Sequence, residues 1–453
     1  MGASETVQKL NNFDAIRALV SCMFGVGVLT VPRTFELAGV LGGLLCLGLS
    51  CLVTLSTCYF LCESTRREKS KARTDEGKPK EITYASLVKN LNKKFAPKIL
   101  NIITVLICYL TTLAYFLFLV NFVSILIRQF PFQDLKNHIL FDYVLRAILS
   151  LIFTIILGSV TVFIDSIQRL SKLGYATLIG VFGSLFLVLG FSFFIKNPFN
   201  SFSLLGEAQL FAAIPSFIFA TCCQTLVVVI YLNLKIPTKN NVISVLSSSV
   251  LIAFLAYGFI GVCGYYVIGR LGAMDFLSIM IDKQSLFMKS LSPLYQSIVF
   301  YSTLPVVLLF IIGLCGSFAS QNFVGRNSLL ELIRGNENAT LKDRFKIAVI
   351  QFLIYSLIAI FNIPANLIVS LVGATAMPFV CIIFPSILYA RRFLQKKRTL
   401  LILPSLLCLF GILVFFYSTI QTIKLAVLGD GFSSLNNTSF NSTELFLNST
   451  LNN

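Results

Sequence analysis

The chain has 453 residues, 56% of them hydrophobic and only 12% charged, and its mean hydropathy is +0.86. Soluble domains carry about 25% charged residues, so water is not the solvent for most of this surface. The net charge of +17 points first to nucleic acid or an anionic surface, but the Lys and Arg residues sit in a few short loops between apolar blocks, which marks topology at a membrane face and not a nucleic-acid footprint.

The apolar blocks run to roughly 20 residues, the length that crosses a hydrocarbon core of about 30 Å at a rise of about 1.5 Å per residue. Eleven spans are predicted, at 16–36, 38–62, 99–127, 143–164, 173–195, 209–232, 241–268, 294–322, 345–361, 364–389 and 399–426. Each is expected to be a helix, because an open sheet leaves its backbone polar groups unpaired in lipid. The predicted architecture is all-α and integral to the membrane: a segment 1–15, a membrane domain 16–426 and a tail 427–453. The first block runs into Val31-Pro32 without a small-residue cleavage pattern, and ten more follow, so it reads as a span and not a removable signal. All twelve cysteines lie within or at the ends of apolar blocks. That placement argues for small apolar filler and against a disulfide framework or zinc site.

Eleven spans put residues 1–15 and the tail on opposite sides. With 1–15 cytoplasmic, the cytoplasmic segments and the span ends adjoining them hold 27 Lys or Arg against 7 on the other side, while Arg33 and Arg146 fall in the spans. The excess sets the N-terminus inside. The tail is then extracellular or lumenal, and its Asn-x-Ser/Thr glycosylation acceptors begin at Asn436, Asn437, Asn441 and Asn448. A merely disordered Asn/Ser/Thr-rich tail generates the same short motif. A vacuolar and a plasma membrane are both compatible with this layout.

The cytoplasmic loop 63–98 is the most basic segment. Arg66, Arg67, Lys69, Lys71, Arg73, Lys78 and Lys80 show no apolar periodicity, which predicts disorder. Ile82, Tyr84, Ala85, Leu87, Val88, Leu91 and Phe95 then recur at helical spacing and predict a short interfacial helix.

Two spans are interrupted. In the first, Gly25-Val26-Gly27-Val28 sits mid-span, and each glycine weakens a helix by about 1 kcal/mol relative to alanine. In the sixth, Pro215 precedes the small and polar run Phe219-Ala220-Thr221-Cys222-Cys223-Gln224. Glycine also serves close helix packing, and proline occurs in spans without function. Breaks in spans one and six of a set whose first ten divide five and five point instead to a transporter site at the bilayer midplane. Such a site suits a zwitterion: N–H groups at a half-helix start favour a carboxylate, and freed carbonyls accept from an ammonium. No Asp, Glu, Lys or Arg lies near either break.

The strings FGVGVLTVPRTFELAG, AIPSFIFATCCQTLVVVIYLNLK and VGATAMPFVCIIFPSILY, with TYASL after the basic loop and GRNSL after span eight, resemble the first, sixth and tenth spans and flanking motifs of the amino acid/auxin permease family. That family belongs to the amino acid–polyamine–organocation superfamily and includes vacuolar, proton-coupled and sodium-coupled neutral amino acid transporters. The resemblance implies a 5+5 inverted repeat with broken helices one and six, plus an eleventh helix. It places substrate against Gly25, Val26, Gly27 and Val28 and against Phe219, Ala220, Thr221 and Cys222. Tyr115, in LAYFLFLVNF, falls where the family has an Ala-Tyr pair on span three, although a packing or interfacial tyrosine accounts for it equally.

Departures from the family pattern bear on the coupling ion. Sodium-coupled members carry an Asn four residues before the first glycine, where this chain has Ser21, and a Thr on span eight, where alignment on GRNSL gives Ser317 and STLPV offers Thr303 as a rival. A hydroxyl can still ligate sodium beside carbonyls. Gln224 stands where the family often has His, and the single histidine, His138, lies in an external loop, so no histidine proton switch sits in the bundle. Glu36, Asp142, Asp165 and Glu207 lie near span boundaries, where capping and loop roles compete with proton transfer. The imperfect sodium ligands favour proton over sodium coupling.

The expected function is therefore ion-coupled secondary transport of a neutral amino acid by alternating access, with no cofactor and with the lipid bilayer and a small molecule as partners. Two alternatives keep the fold: transport of another small solute, and an amino-acid sensor that binds without flux. An enzyme is not expected, because no paired carboxylates, H-E-x-x-H or Ser/His pair lies at membrane depth.

Overall fold

In the computed structural model, the described residues are 9–25, 27–74, 82–89, 91, 95–129, 139–163, 167–195, 203–204, 210–269, 275–335, 339–361, 363, 365–393 and 398–424. Val26, His138, Asp165, Glu207, Lys78, Lys80 and the four tail asparagines lie outside them.

The first span is two helices, α1 (Asn12–Met23) and α2 (Gly27–Ala38), bent by 58° at the break. Asn11 caps α1 by accepting the Asp14 N–H at 2.7 Å. Then come α3 (Val40–Thr74), the short α4 (Tyr84–Val88), α5 (Ala96–Arg128), α6 (Ile139–Phe163) and α7 (Ile167–Phe194). The sixth span is again two helices, α8 (Leu210–Thr221) and α9 (Gln224–Asn233). They are followed by α10 (Lys239–Ile268), the short α11 (Phe276–Ile281) and α12 (Leu286–Ser290), the 42-residue α13 (Pro293–Arg334) and α14 (Leu341–Ile360). The tenth span is α15 (Ala365–Met377), a π-helical stretch Pro378–Ile383 and α16 (Phe384–Phe393), and α17 (Ile402–Lys424) closes the set. Pro385 has no N–H to give the carbonyl four residues back, at Cys381, which favours the wider π spacing just before it.

By length and composition, nine described stretches can cross a membrane, and the bent α1–α2 pair makes ten. The helix expected as span nine, α14, is not among them, because its first turns carry Lys342, Asp343, Arg344 and Lys346. Among the described residues there is no strand, only a bridge in which Leu10 N–H donates to Asn233 O at 2.8 Å and Lys235 N–H to Leu10 O at 2.9 Å.

The outer surface is not that of a water-soluble protein, although the core is also largely apolar. Leu52, Ile155, Phe186, Leu353 and Phe416 stand exposed on outer faces, while Thr57, Thr112, Ser184, Thr221 and Gln224 are fully buried. Hydroxyls in lipid-embedded helices find partners within the bundle. Thr112 meets Tyr355 Oη at 2.7 Å, and Thr177 donates to Gly313 O at 2.9 Å.

The basic loop departs from expectation. The helix of span two runs on to Thr74, so Arg66, Arg67, Lys69, Lys71 and Arg73 are helical and not disordered. Glu63 receives Arg66 and Arg67 at 3.1 Å each, three and four residues on, and Arg392 reaches Glu68 at 3.3 Å from α16. These pairs supply the local support that apolar periodicity does not. The expected interfacial helix is present as α4, with a reciprocal Thr83–Ser86 capping box. It is only five residues long, and its Leu87 and Val88 are fully buried. Tyr84 donates to Val380 O at 2.8 Å, so α4 docks under the π turn of span ten instead of floating on lipid.

Candidate functional site at the two helix breaks

At the first break, Phe24 N–H donates to Val20 O at 2.8 Å, Gly25 N–H to Met23 O at 3.0 Å and Val28 N–H to Gly25 O at 3.2 Å. The helix thus ends at Met23 and restarts at Gly27, where the first-turn N–H of Val28 is taken by the carbonyl of Gly25. The two glycines are needed for different contacts. A methyl group at Gly25 would overlap the Tyr115 hydroxyl of α5, and one at Gly27 would lie 2.9 Å from Ala220 Cα of α8. Gly27 therefore permits close approach of spans one and six.

At the second break, Cys222 and Cys223 leave helical geometry, with Cys222 N–H reaching Phe219 O at 3.3 Å. Gln224 stabilises the turn: its Oε1 accepts the Cys223 N–H at 2.9 Å and its Nε2 donates to Thr57 Oγ1 at 3.0 Å. Gln224 thus works as a cap. Thr221 donates back to Phe217 O at 3.0 Å and receives Thr54 at 3.2 Å. The Cys222 thiol lies 2.9 Å from that of Cys381 in the π turn, and Cys223 lies 3.6 Å from Cys58.

One side chain joins the two breaks. Tyr257, fully buried in mid-α10, donates from its hydroxyl to Met23 O at 2.6 Å and Ala220 O at 3.0 Å. The Phe24 ring meets Tyr257 edge-on, 5.4 Å between centroids. Sequence reasoning missed Tyr257, because its partners are 234 and 37 residues away along the chain. Its only local signal is a tyrosine at mid-span, where the residue type normally prefers the interface.

The structure thus brings Gly25, Gly27 and Tyr115 together with Ala220, and buries Val28, Phe219, Thr221 and Cys222 in the same core. Of the ion candidates, Thr303 and Ser317 lie far apart on one helix. Ser21 lies on α1, which touches α13, and Ser317 on α13 is 3.2 Å from Thr177 of α7. Thr303 faces Met280 of α11 at 4.0 Å, 14 residues and about 21 Å along α13 from Ser317. Of the boundary carboxylates, Glu36 pairs with Arg33 at 2.9 Å and Asp142 with Arg128 at 2.8 Å.

The geometry can be set beside known proteins. Residues 8–424 match the model of the family described as transmembrane amino acid transporter protein. No curated protein sequence gives a significant match. Among solved structures, a manganese transporter from Eremococcus coleocola, in complex with an aromatic bis-isothiourea substituted compound, superposes with a TM-score of 0.56 at 14% identity, over 94% of this chain and 90% of that one. A nucleobase-cation-symport-1 family transporter, in a closed conformation with bromovinylhydantoin bound, gives 0.54 at 13% identity, over 92% and 93%. At such identities the likeness is one of fold. The family match spans nearly every described element, and the chain accordingly belongs to the transmembrane amino acid transporter family: a multi-pass membrane transport protein, not an enzyme.

Proposed function

We propose that the chain is a secondary active transporter of neutral amino acids that works by alternating access, with substrate held between the two helix breaks. The observation that carries this reading is the meeting of both breaks at Tyr257, with no Asp, Glu, Lys or Arg adjoining either break along the chain. A zwitterion can be received there by backbone alone: its carboxylate by N–H groups at the start of α2, its ammonium by carbonyls freed at the two breaks beside those that Tyr257 engages. Gly25, Val26, Gly27 and Val28, with Phe219, Ala220, Thr221, Cys222 and Tyr115, form the proposed lining.

The same reading takes α14 as the ninth of eleven spans, since Phe345, Val349, Leu353 and Leu357 form an exposed apolar stripe along it, and arranges the first ten as a 5+5 inverted repeat. It places residues 1–15 and the basic segment 63–98 in the cytoplasm and the tail outside. Proton coupling is preferred to sodium coupling, because Ser21 replaces the expected Asn.

Uptake of radiolabelled amino acids into proteoliposomes, at two pH values with and without sodium and with all common amino acids as competitors, tests the proposal. We expect competition by neutral amino acids and stimulation by a pH gradient. Absence of uptake under every gradient contradicts transport, and binding without flux points to a sensor.

A further inference from the structure

The carbonyls that Tyr257 engages are both at the C-terminal ends of half-helices: Met23 is the last residue of α1, and Ala220 precedes the last residue of α8. A helix C-terminus carries roughly half a negative charge. Two such ends converging on one dry point attract a cation, and in transporters with broken helices these ends and unwound carbonyls coordinate the coupling ion. In this chain the point is filled. The Tyr257 oxygen lies 2.6 Å from one carbonyl and 3.0 Å from the other, its ring is fixed by the edge of Phe24, and the residue is fully buried. Met23 O also accepts the Gly25 N–H at 3.0 Å, so the break itself helps to neutralise that end. The phenol supplies one proton to two acceptors and carries no charge to desolvate.

We propose that Tyr257 is a positioning residue that stands in, as a tethered hydrogen-bond donor, for a coupling cation between the two breaks. Its hydroxyl neutralises both helix ends and holds spans one and six as one unit, so sodium is not required at this point. The inference deepens the proposed function and rests on the two breaks forming the substrate site.

The test is Tyr257→Phe, which keeps the ring and its contact with Phe24 and removes only the hydroxyl. Melting temperatures of purified wild type and variant are compared in sodium chloride and in choline chloride. The variant melts below wild type in choline, and sodium raises its melting temperature by about 2–4 °C more than that of wild type, because the vacated carbonyls now bind the ion. Equal melting of the two proteins in choline overturns the proposal. So does a deficit that sodium leaves unchanged, since a purely structural hydroxyl gives that result. Phe24→Leu, which keeps the hydroxyl, shows no added sodium response, and such a response in it also counts against the proposal. If Tyr257→Phe does not accumulate, Tyr257→Ser, with a gap where the hydroxyl stood, is measured in the same way. No readout here needs a substrate, so failure of amino acid uptake and failure of this inference are told apart.

Discussion

A methyl group at Gly25 meets the end of a side chain, the Tyr115 hydroxyl, whereas one at Gly27 meets the backbone of Ala220. The two positions therefore respond differently to the same substitution. Overpacking costs about 1–3 kcal/mol, and about 1.4 kcal/mol is a tenfold effect on a rate. Gly25→Ala should lower uptake by about tenfold, and Tyr115→Phe in the same chain should restore part of it, because removing the hydroxyl leaves the ring carbon 3.1 Å from the new methyl. Independent, additive losses in that double-mutant cycle would separate Tyr115 from the break. Gly27→Ala has no such remedy, and Gly27→Leu should abolish uptake while expression and membrane insertion persist; unaltered kinetics in Gly27→Leu would remove span one from the site. The glycine spacing was legible in the sequence, but its cause was not. It depends on α8 lying against α2, a contact between residues far apart along the chain.

Among the elements, the breaks were readable because glycine, proline and small polar residues are costly in a span unless something uses them. The length of α3 was not readable: salt bridges three and four residues apart carry it beyond the apolar block, and hydropathy does not register them. The segment between α10 and α13 was also opaque, although α11 is wholly buried and begins at a titratable cap. Asp275 accepts the Ser278 N–H at 2.9 Å and its hydroxyl at 2.6 Å. Burial pushes its carboxyl up to about 6, more strongly than those bonds lower it. A folded-state value above the unfolded one of about 3.9 gives stability that is complete below the unfolded value and is lost as pH rises through about 6. The melting temperature should accordingly be higher at pH 5 than at pH 7. Asp275→Asn, which preserves the cap, should flatten that difference, and a difference equally large in the variant would assign it to another group.

At the scale of the whole molecule, composition alone foretold an apolar surface, and the structure has large apolar side chains on its outer faces around a core that is itself mostly apolar. The number of spans was not readable from composition, because α14 opens on four charged residues, which a membrane-surface position accommodates. The charge asymmetry makes its own prediction. A protease site inserted between residues 75 and 81 should be cut only from the cytoplasmic side, and the tail should carry glycans at one or more of Asn436, Asn437, Asn441 and Asn448, removable by an endoglycosidase. A cytoplasmic tail would reverse the assignment.

The central claim is that backbone groups at two helix breaks receive both charged ends of an amino acid. Competition against labelled substrate by matched analogues tests it most directly: the amino acid itself, its carboxamide and its des-amino acid. The account predicts that each analogue, having lost one charge, competes at least about tenfold more weakly than the parent, consistent with about 1.5–3 kcal/mol for a hydrogen bond to a charged group. Competition by either analogue as strong as that of the parent would show that the breaks do not hold that end of the molecule, and would contradict the claim.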